Sequence, residues 1–229
     1  MEIIKGKEVY SELDELVRRE HAAVLIIDMQ KDGIAEEGYF AKRMGADVSP
    51  VKEIVAPLAE FLRQARSAQV PVVHVFQSCR LDGKSDSPAW LHFKRHAYKL
   101  TPPATGPDDD FMIKGRWGYE VIPELAPREG ELVIDKPRAS AFISTPLDTM
   151  LRANGIETVI VTGESSYGCL LNSVMDAACM DYYTIVVEDL VAGPNKVLHE
   201  MALELMRKRY HCYKSSEIVE VWRHLGYLK

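Results

Sequence analysis

Six strand-length apolar runs, each closed by polar or glycine residues and separated by helix-period segments, constrain this chain more than any other feature. They are Ala22 to Asp28, Pro71 to Gln77, Glu131 to Lys136, Thr158 to Gly163, Thr184 to Asp189 and His211 to Lys214. The runs are continuous rather than alternating, which suits parallel strands covered on both faces. Segments with helical apolar spacing lie between them: Pro50 to Ala68, Pro146 to Ala153, Leu170 to Tyr182 and Lys196 to Arg209. Strand then helix, repeated, predicts an α/β fold, a three-layer α/β/α sandwich with a mostly parallel six-stranded sheet. A length of 229 residues fits one domain spanning 1–229. Residues 78–130 break the rhythm with Pro, Gly, Asp and aromatics, and an excursion of that length reads as a lid or binding loop.

Composition narrows the partners. The 28 basic against 34 acidic residues give a formal charge of −6, and no basic cluster offers a surface to nucleic acid or an anionic membrane. The first twenty residues lack the apolar run of a signal peptide and no window suits a membrane span, so a cytoplasmic location is expected. The four cysteines, Cys79, Cys169, Cys179 and Cys212, form no CxxC pair, so neither a zinc knuckle nor a disulfide framework is indicated.

In open parallel sheets ligands bind beyond the carboxyl ends of the strands, where helix amino termini and loops converge. Those ends carry Asp28, followed by Gln30, then Lys136, then the run Glu164-Ser165-Ser166-Tyr167-Gly168-Cys169 leading into a helix. Taken singly, such a cysteine is commonly a small buried hydrophobe, an aspartate there caps a turn and a lysine points to solvent. An acid, a base and a thiol together suggest acyl or carbamoyl transfer to sulfur. The helix dipole and a nearby ammonium are expected to lower the thiol pKa, a carboxylate can carry the proton, and helix-start amides can hold an oxyanion.

The segments AAVLIIDMQKD, GELVIDKPRASAFISTPLDTMLRANGIETVIVTG and CLLNSVMDAACMDYYTIVVEDL resemble the isochorismatase-like cysteine hydrolases over nearly the whole chain. In that family's pattern a strand ends in Asp-x-Gln, a Lys-x-Arg-x-Ser-x-Phe motif follows, and a glycine precedes the nucleophile by six residues; here Lys136 and Cys169 stand 33 positions apart, as in the pattern. The resemblance implies Asp28 as base, Lys136 as the catalytic lysine and Cys169 as nucleophile, with a non-proline cis peptide joining Glu164 to Ser165 and with the Ser165 and Cys169 amides as oxyanion donors. It also implies no cofactor and self-association as a dimer or tetramer. EEGYF, GADVS, SPAW, KGRWGYEVIPEL and KPRASAF are similar to the ureidoacrylate amidohydrolases and related N-carbamoyl hydrolases.

Substrate contacts expected on this basis are Arg138 on a carboxylate, Trp117, Tyr119 and Tyr167 as walls for a planar group, and Gln30 orienting Asp28 or substrate. Glu164, if it lies in the pocket, would accept a hydrogen bond from a ureido or amide nitrogen. The chain departs from the family in having Glu164 for an aliphatic residue, Ser166 for threonine and Gly33 where an aromatic often stands. Cys169 argues against the isochorismate-cleaving branch, which lacks a nucleophilic thiol. No Asp-x-His follows the second strand, and His92 and His96 have no third ligand, so no metal is expected. The expected function is cleavage of a C–N bond in a small ureido or amide compound. Two other readings stay open: a nicotinamidase-like carboxamide hydrolase, and a catalytically silent member acting as a binding subunit.

Overall fold

The computed structural model describes residues 1–106 and 108–229. Strands β1 (Glu2–Ile4) and β2 (Lys7–Val9) form a small antiparallel ribbon, followed by the short helix α1 (Leu13–Leu16). The main sheet contains β3 (Ala22–Ile27), β4 (Val72–Gln77), β5 (Leu132–Lys136), β6 (Thr158–Glu164), β7 (Tyr183–Ala192) and β8 (His211–Tyr213). Its order is β5-β4-β3-β6-β7-β8 with every pairing parallel. All six expected runs are strands, and the three-layer α/β reading holds.

Between β3 and β4 run α2 (Lys31–Ile34), α3 (Tyr39–Met44), α4 (Ser49–Glu53) and α5 (Val55–Ser67). The helix expected from Pro50 to Ala68 is therefore two helices that meet at Ile54. Pro57 supplies the reason: it has no N–H for the Glu53 carbonyl four residues back, and its ring crowds that carbonyl. Helix α6 (Pro88–Ala97) lies in the long excursion, and α7 (Leu147–Ala153), α8 (Cys169–Cys179), α9 (Lys196–Arg209) and α10 (Ser215–His224) complete the helical layers.

Side-chain alternation along β3 builds the two cores. Val24 and Ile26 face one way, against Leu58, Phe61 and Leu62 of α5 and the fully buried Trp222 of α10. Ala23, Leu25 and Ile27 face the other way, against Leu147 and Leu151 of α7, Leu170 and Val174 of α8 and Met206 of α9. Each buried Leu, Ile or Phe contributes about 1.5–3 kcal/mol, so the central strand is held from both sides. Trp222 also donates from Nε1 to the Val17 carbonyl at 2.9 Å, which ties the last helix to the amino-terminal segment.

The excursion is a packed cap with a core of its own. Tyr39, Phe40, Val48 and Cys79 pack with Phe111, Met112 and Ile113. The Asp32 carboxylate accepts from the Tyr39 amide at 3.0 Å and the Met112 amide at 2.6 Å. The buried Lys94 of α6 bridges Asp86, at 3.2 Å, and Asp110. An ammonium buried between two carboxylates resists opening, because separating them strands a charge away from water.

Candidate active site

The order of strand addition switches sides at β3: from β3 the strands build outward through β4 to β5, and the next strand, β6, returns to the other flank of β3. Such a switch point opens a crevice at the carboxyl edge. Four neighbouring strand ends, β5, β4, β3 and β6, deliver Lys136, Gln77, Asp28 and Glu164 to that crevice, and α8 begins at Cys169 just beyond. β6 can approach β3 closely because Gly163 has no side chain: its φ is +106°, and a Cβ there would stand 2.2 Å from the Ile27 carbonyl oxygen.

Lys136 stands two strands from Asp28, about 10 Å across the sheet at the usual interstrand spacing. Its extended side chain crosses that gap, and Nζ lies 2.8 Å from Asp28 Oδ2 and donates to Gln77 Oε1 at 2.8 Å. The Gln77 backbone amide donates to Asp28 Oδ1 at 2.8 Å. Asp28 has a φ of +53°, which turns its carboxylate back over the strand ends. Asp28 and Lys136 both stand near enough to the Cys169 thiol to act on its ionisation. Asp28, Lys136 and Cys169 are 3%, 0% and 8% exposed, so the group sits at the bottom of the crevice, largely shielded from water.

Burial sets the electrostatics. It raises the Asp28 carboxyl above the usual carboxylate range, although Lys136 pulls the other way. Burial also acts to lower Lys136, but the charges of Asp28 and Cys169 more than offset it and the ammonium is held raised. The Cys169 thiol is pushed up to about 12, first by burial and then by the Asp28 carboxylate, with Lys136 opposing. This corrects the expectation of a lowered thiol pKa: the α8 amino terminus and the ammonium are outweighed by desolvation and a neighbouring anion. The resting group is therefore a thiol beside a carboxylate that is basic for its kind.

The turn carrying the nucleophile position is closed locally. Gly168 and Leu170 donate from their amides to the Ser165 carbonyl at 2.9 and 3.1 Å, and the Glu164–Ser165 peptide is cis. Ser173, one turn into α8, donates to the Cys169 carbonyl at 2.7 Å and accepts from the Ala141 amide at 2.9 Å. That hydroxyl joins the helix to the segment that follows Lys136.

A cavity of about 500 Å³ opens above these groups. Its floor is Asp28, Gln77, Glu164, Ser165 and Cys169, and its walls include Phe40, Phe93, Tyr98, Phe111, Tyr167 and Leu198. Of the residues expected at the site, Asp28, Cys169, Glu164, Ser165 and Tyr167 border the cavity, and Lys136 lies directly beneath it.

Four expected substrate contacts lie elsewhere. Arg138 donates to the Pro137 and Ser85 carbonyls at 2.7 and 3.0 Å, with its guanidinium over the Trp90 ring, so it fastens the cap to the β5 end. Trp117 is 45% exposed on the outer surface under Lys31. Tyr119 donates its hydroxyl to Asp135 at 2.5 Å, outside the cavity. Gln30 does not border the cavity and meets Asp28 only through its backbone amide, which donates to the Asp28 carbonyl at 2.6 Å; its side-chain Nε2 donates to the Gln77 and Tyr119 carbonyls at 3.0 and 2.8 Å. It thereby steadies the residue whose amide holds Asp28. The excursion does contribute walls, but through Phe93, Tyr98 and Phe111. Gln77 closes an apolar run in the sequence and carries no motif, so only the sheet order shows its place between Lys136 and Asp28.

His92 and His96 stay on α6, and no group of three or more His, Cys, Asp or Glu suited to a metal occurs among the described residues. None of the described helices is long and apolar enough to cross a membrane.

The isochorismatase domain model matches residues 22–215. A ureidoacrylate amidohydrolase from Azorhizobium caulinodans is 32% identical over 184 residues, covering 78% of this chain and 80% of that protein. Among solved structures, a cysteine hydrolase from Pseudomonas syringae pv. phaseolicola superposes with a TM-score of 0.76 at 23% identity, covering 90% of this chain and 94% of the other, a likeness of fold. An N-carbamoylsarcosine amidase from Thermoplasma acidophilum gives a TM-score of 0.64 at 26% identity, covering 85% and 96%.

Proposed function

The chain belongs to the isochorismatase family, and from that premise we propose that it is a cysteine amidohydrolase cleaving a C–N bond of a small linear ureido or amide compound. The observation that carries this reading is that Cys169 and Asp28, the latter paired with Lys136 at 2.8 Å, share the floor of the cavity. The curated relative named as a ureidoacrylate amidohydrolase and the solved N-carbamoylsarcosine amidase point to the same bond class.

The chemistry follows from the proton inventory. With the thiol pushed up to about 12, little free thiolate exists at neutral pH, so attack is coupled to transfer of the proton to Asp28. Burial makes Asp28 a stronger base than an exposed carboxylate, and Lys136 keeps it anionic until the proton arrives. Sulfur bonds to the substrate carbonyl carbon, and the oxygen takes up charge facing the Ser165 and Cys169 amides. Asp28 returns the proton to the departing nitrogen as the C–N bond breaks, which leaves a thioester or thiocarbamate on Cys169. Asp28 then deprotonates a water that adds to the same carbon, and the thiol is regenerated with release of a carboxylic acid or carbamate. Gln77 does not touch substrate; it fixes the Lys136–Asp28 geometry from the intervening strand.

The test is intact-protein mass spectrometry after rapid mixing with a panel of ureido acids and amides, with ammonia release followed in parallel. A transient adduct that maps to Cys169 is expected. Turnover that persists in Cys169→Ala would overturn the covalent route.

A further inference from the structure

Glu164 closes β6 and is 1% exposed, and neither of its carboxyl oxygens has a hydrogen-bond partner among the described residues. It borders the same cavity as Asp28 and Cys169. A buried polar group without a partner is rare and costly, and a partner arriving from outside the chain is a common explanation. Space for the carboxyl is provided at one point: a Cβ on Gly33 would stand 1.7 Å from Glu164 Oε1. The backbone of Gly33 is in no left-handed conformation, so what a side chain there would take is room. Burial, and then the nearby Asp28 charge, push the Glu164 carboxyl well above the usual range. In either protonation state the carboxyl offers an acceptor oxygen to a donor that enters the cavity.

We propose that Glu164 is the specificity-determining residue of this site, its carboxyl, lodged in the space that Gly33 leaves open, accepting a hydrogen bond from the terminal NH2 of an N-carbamoyl substrate in the cavity. This rests on the amidohydrolase reading and deepens it, because it selects ureido compounds over plain amides. A carbamoyl NH2 offers a donor beside the scissile carbon where an acyl methyl offers none. A site with an unpaired buried acceptor discriminates strongly between such isosteres, since the methyl analogue leaves the carboxyl unsatisfied.

The experiment uses the full chain carrying Cys169→Ala, so that recognition is read without turnover. Titration calorimetry compares N-carbamoyl-β-alanine with N-acetyl-β-alanine, which differ by NH2 against CH3. The parent is expected to prefer the carbamoyl probe by about 10- to 100-fold, the range for one buried hydrogen bond. Added Glu164→Gln, which keeps an acceptor and a donor in place, should retain that preference within about threefold, a range smaller than one hydrogen bond. Added Glu164→Leu should abolish it. Added Gly33→Ala, which moves the flexible end of Glu164 without altering it, should reduce it as well. No preference in the parent, including no binding of either probe, or a preference retained by Glu164→Leu, overturns the proposal. A Cys169 adduct formed without carbamoyl preference sinks this inference and leaves the hydrolase reading standing. Preference without any adduct does the reverse.

Discussion

Replacing Glu164 by Gln should make the protein more stable, and by an amount that grows with pH. Glu164 is buried without a partner and its carboxyl is raised well above the usual range, chiefly by burial. A raised folded-state pKa means that the native protein holds a proton the unfolded chain releases. Glu164 therefore favours folding below its unfolded pKa, and that contribution is lost as pH rises toward the pH at which it ionises in the fold. Across this window the wild type loses about 1.4 kcal/mol per pH unit through this one group. Gln is nearly isosteric and does not titrate, so the stability gap between variant and wild type should widen by that amount per pH unit until Glu164 ionises in the fold. For a protein of this size that corresponds to a gap in Tm widening by about 3–6 °C per pH unit. Other titrating groups are shared by the two proteins and cancel, apart from Asp28, whose charge couples to Glu164. The assay is differential scanning calorimetry of both proteins at half-unit pH steps in matched ionic strength. A Tm difference that stays constant across the range would mean that burial does not raise the Glu164 carboxyl.

Three further outcomes are expected. Cys169→Ala should lose about a thousandfold or more in turnover while keeping its fold, and Cys79, Cys179 and Cys212 should each be replaceable with activity kept; an inactive Cys179 variant beside an active Cys169 variant would reverse the assignment. In iodoacetamide alkylation followed against pH, Asp28→Asn should bring Cys169 into reaction at lower pH and Lys136→Met should delay it to higher pH, because the carboxylate raises the thiol and the ammonium opposes it; identical profiles would separate both residues from the sulfur, and both variants should be inactive. Dialysis against a strong chelator should leave activity unchanged, since no metal-suited group of three or more side chains occurs among the described residues; activity restored only by added metal would contradict this.

The sequence by itself determined the sheet and its chemistry-bearing edge. Runs such as Ala22 to Asp28 and Thr158 to Gly163 are too uniformly apolar for anything but strands covered on both faces, and parallel strands need helical crossovers. Once the strands run parallel, their carboxyl ends share one edge, so Asp28, Lys136 and the turn before Cys169 were legible as neighbours before any distance was known. The excursion was different. Its aromatics carry no periodicity that tells inside from outside, and Trp117 and Tyr119, which looked like pocket walls, turn outward, while Phe40, Tyr98 and Phe111 line the cavity. Those directions follow from side-chain anchors with no periodic signature, the Asp32 carboxylate on the Met112 amide 80 residues away and Lys94 between Asp86 and Asp110 within the excursion.

Charge states were likewise beyond the sequence. Helix position and a nearby lysine suggest a lowered thiol, but desolvation depends on how many atoms exclude water from Cys169, and that is a property of packing in three dimensions. The role of Gln77 depends on strand order, because only the placement of β4 between β5 and β3 puts its amide on Asp28 and its side chain on Lys136. Glu164 and Gly33 stand out in the sequence as two separate departures from a family pattern. That they are one feature, a carboxyl lodged in the space a missing side chain leaves, was decided by the close approach of segments 131 residues apart.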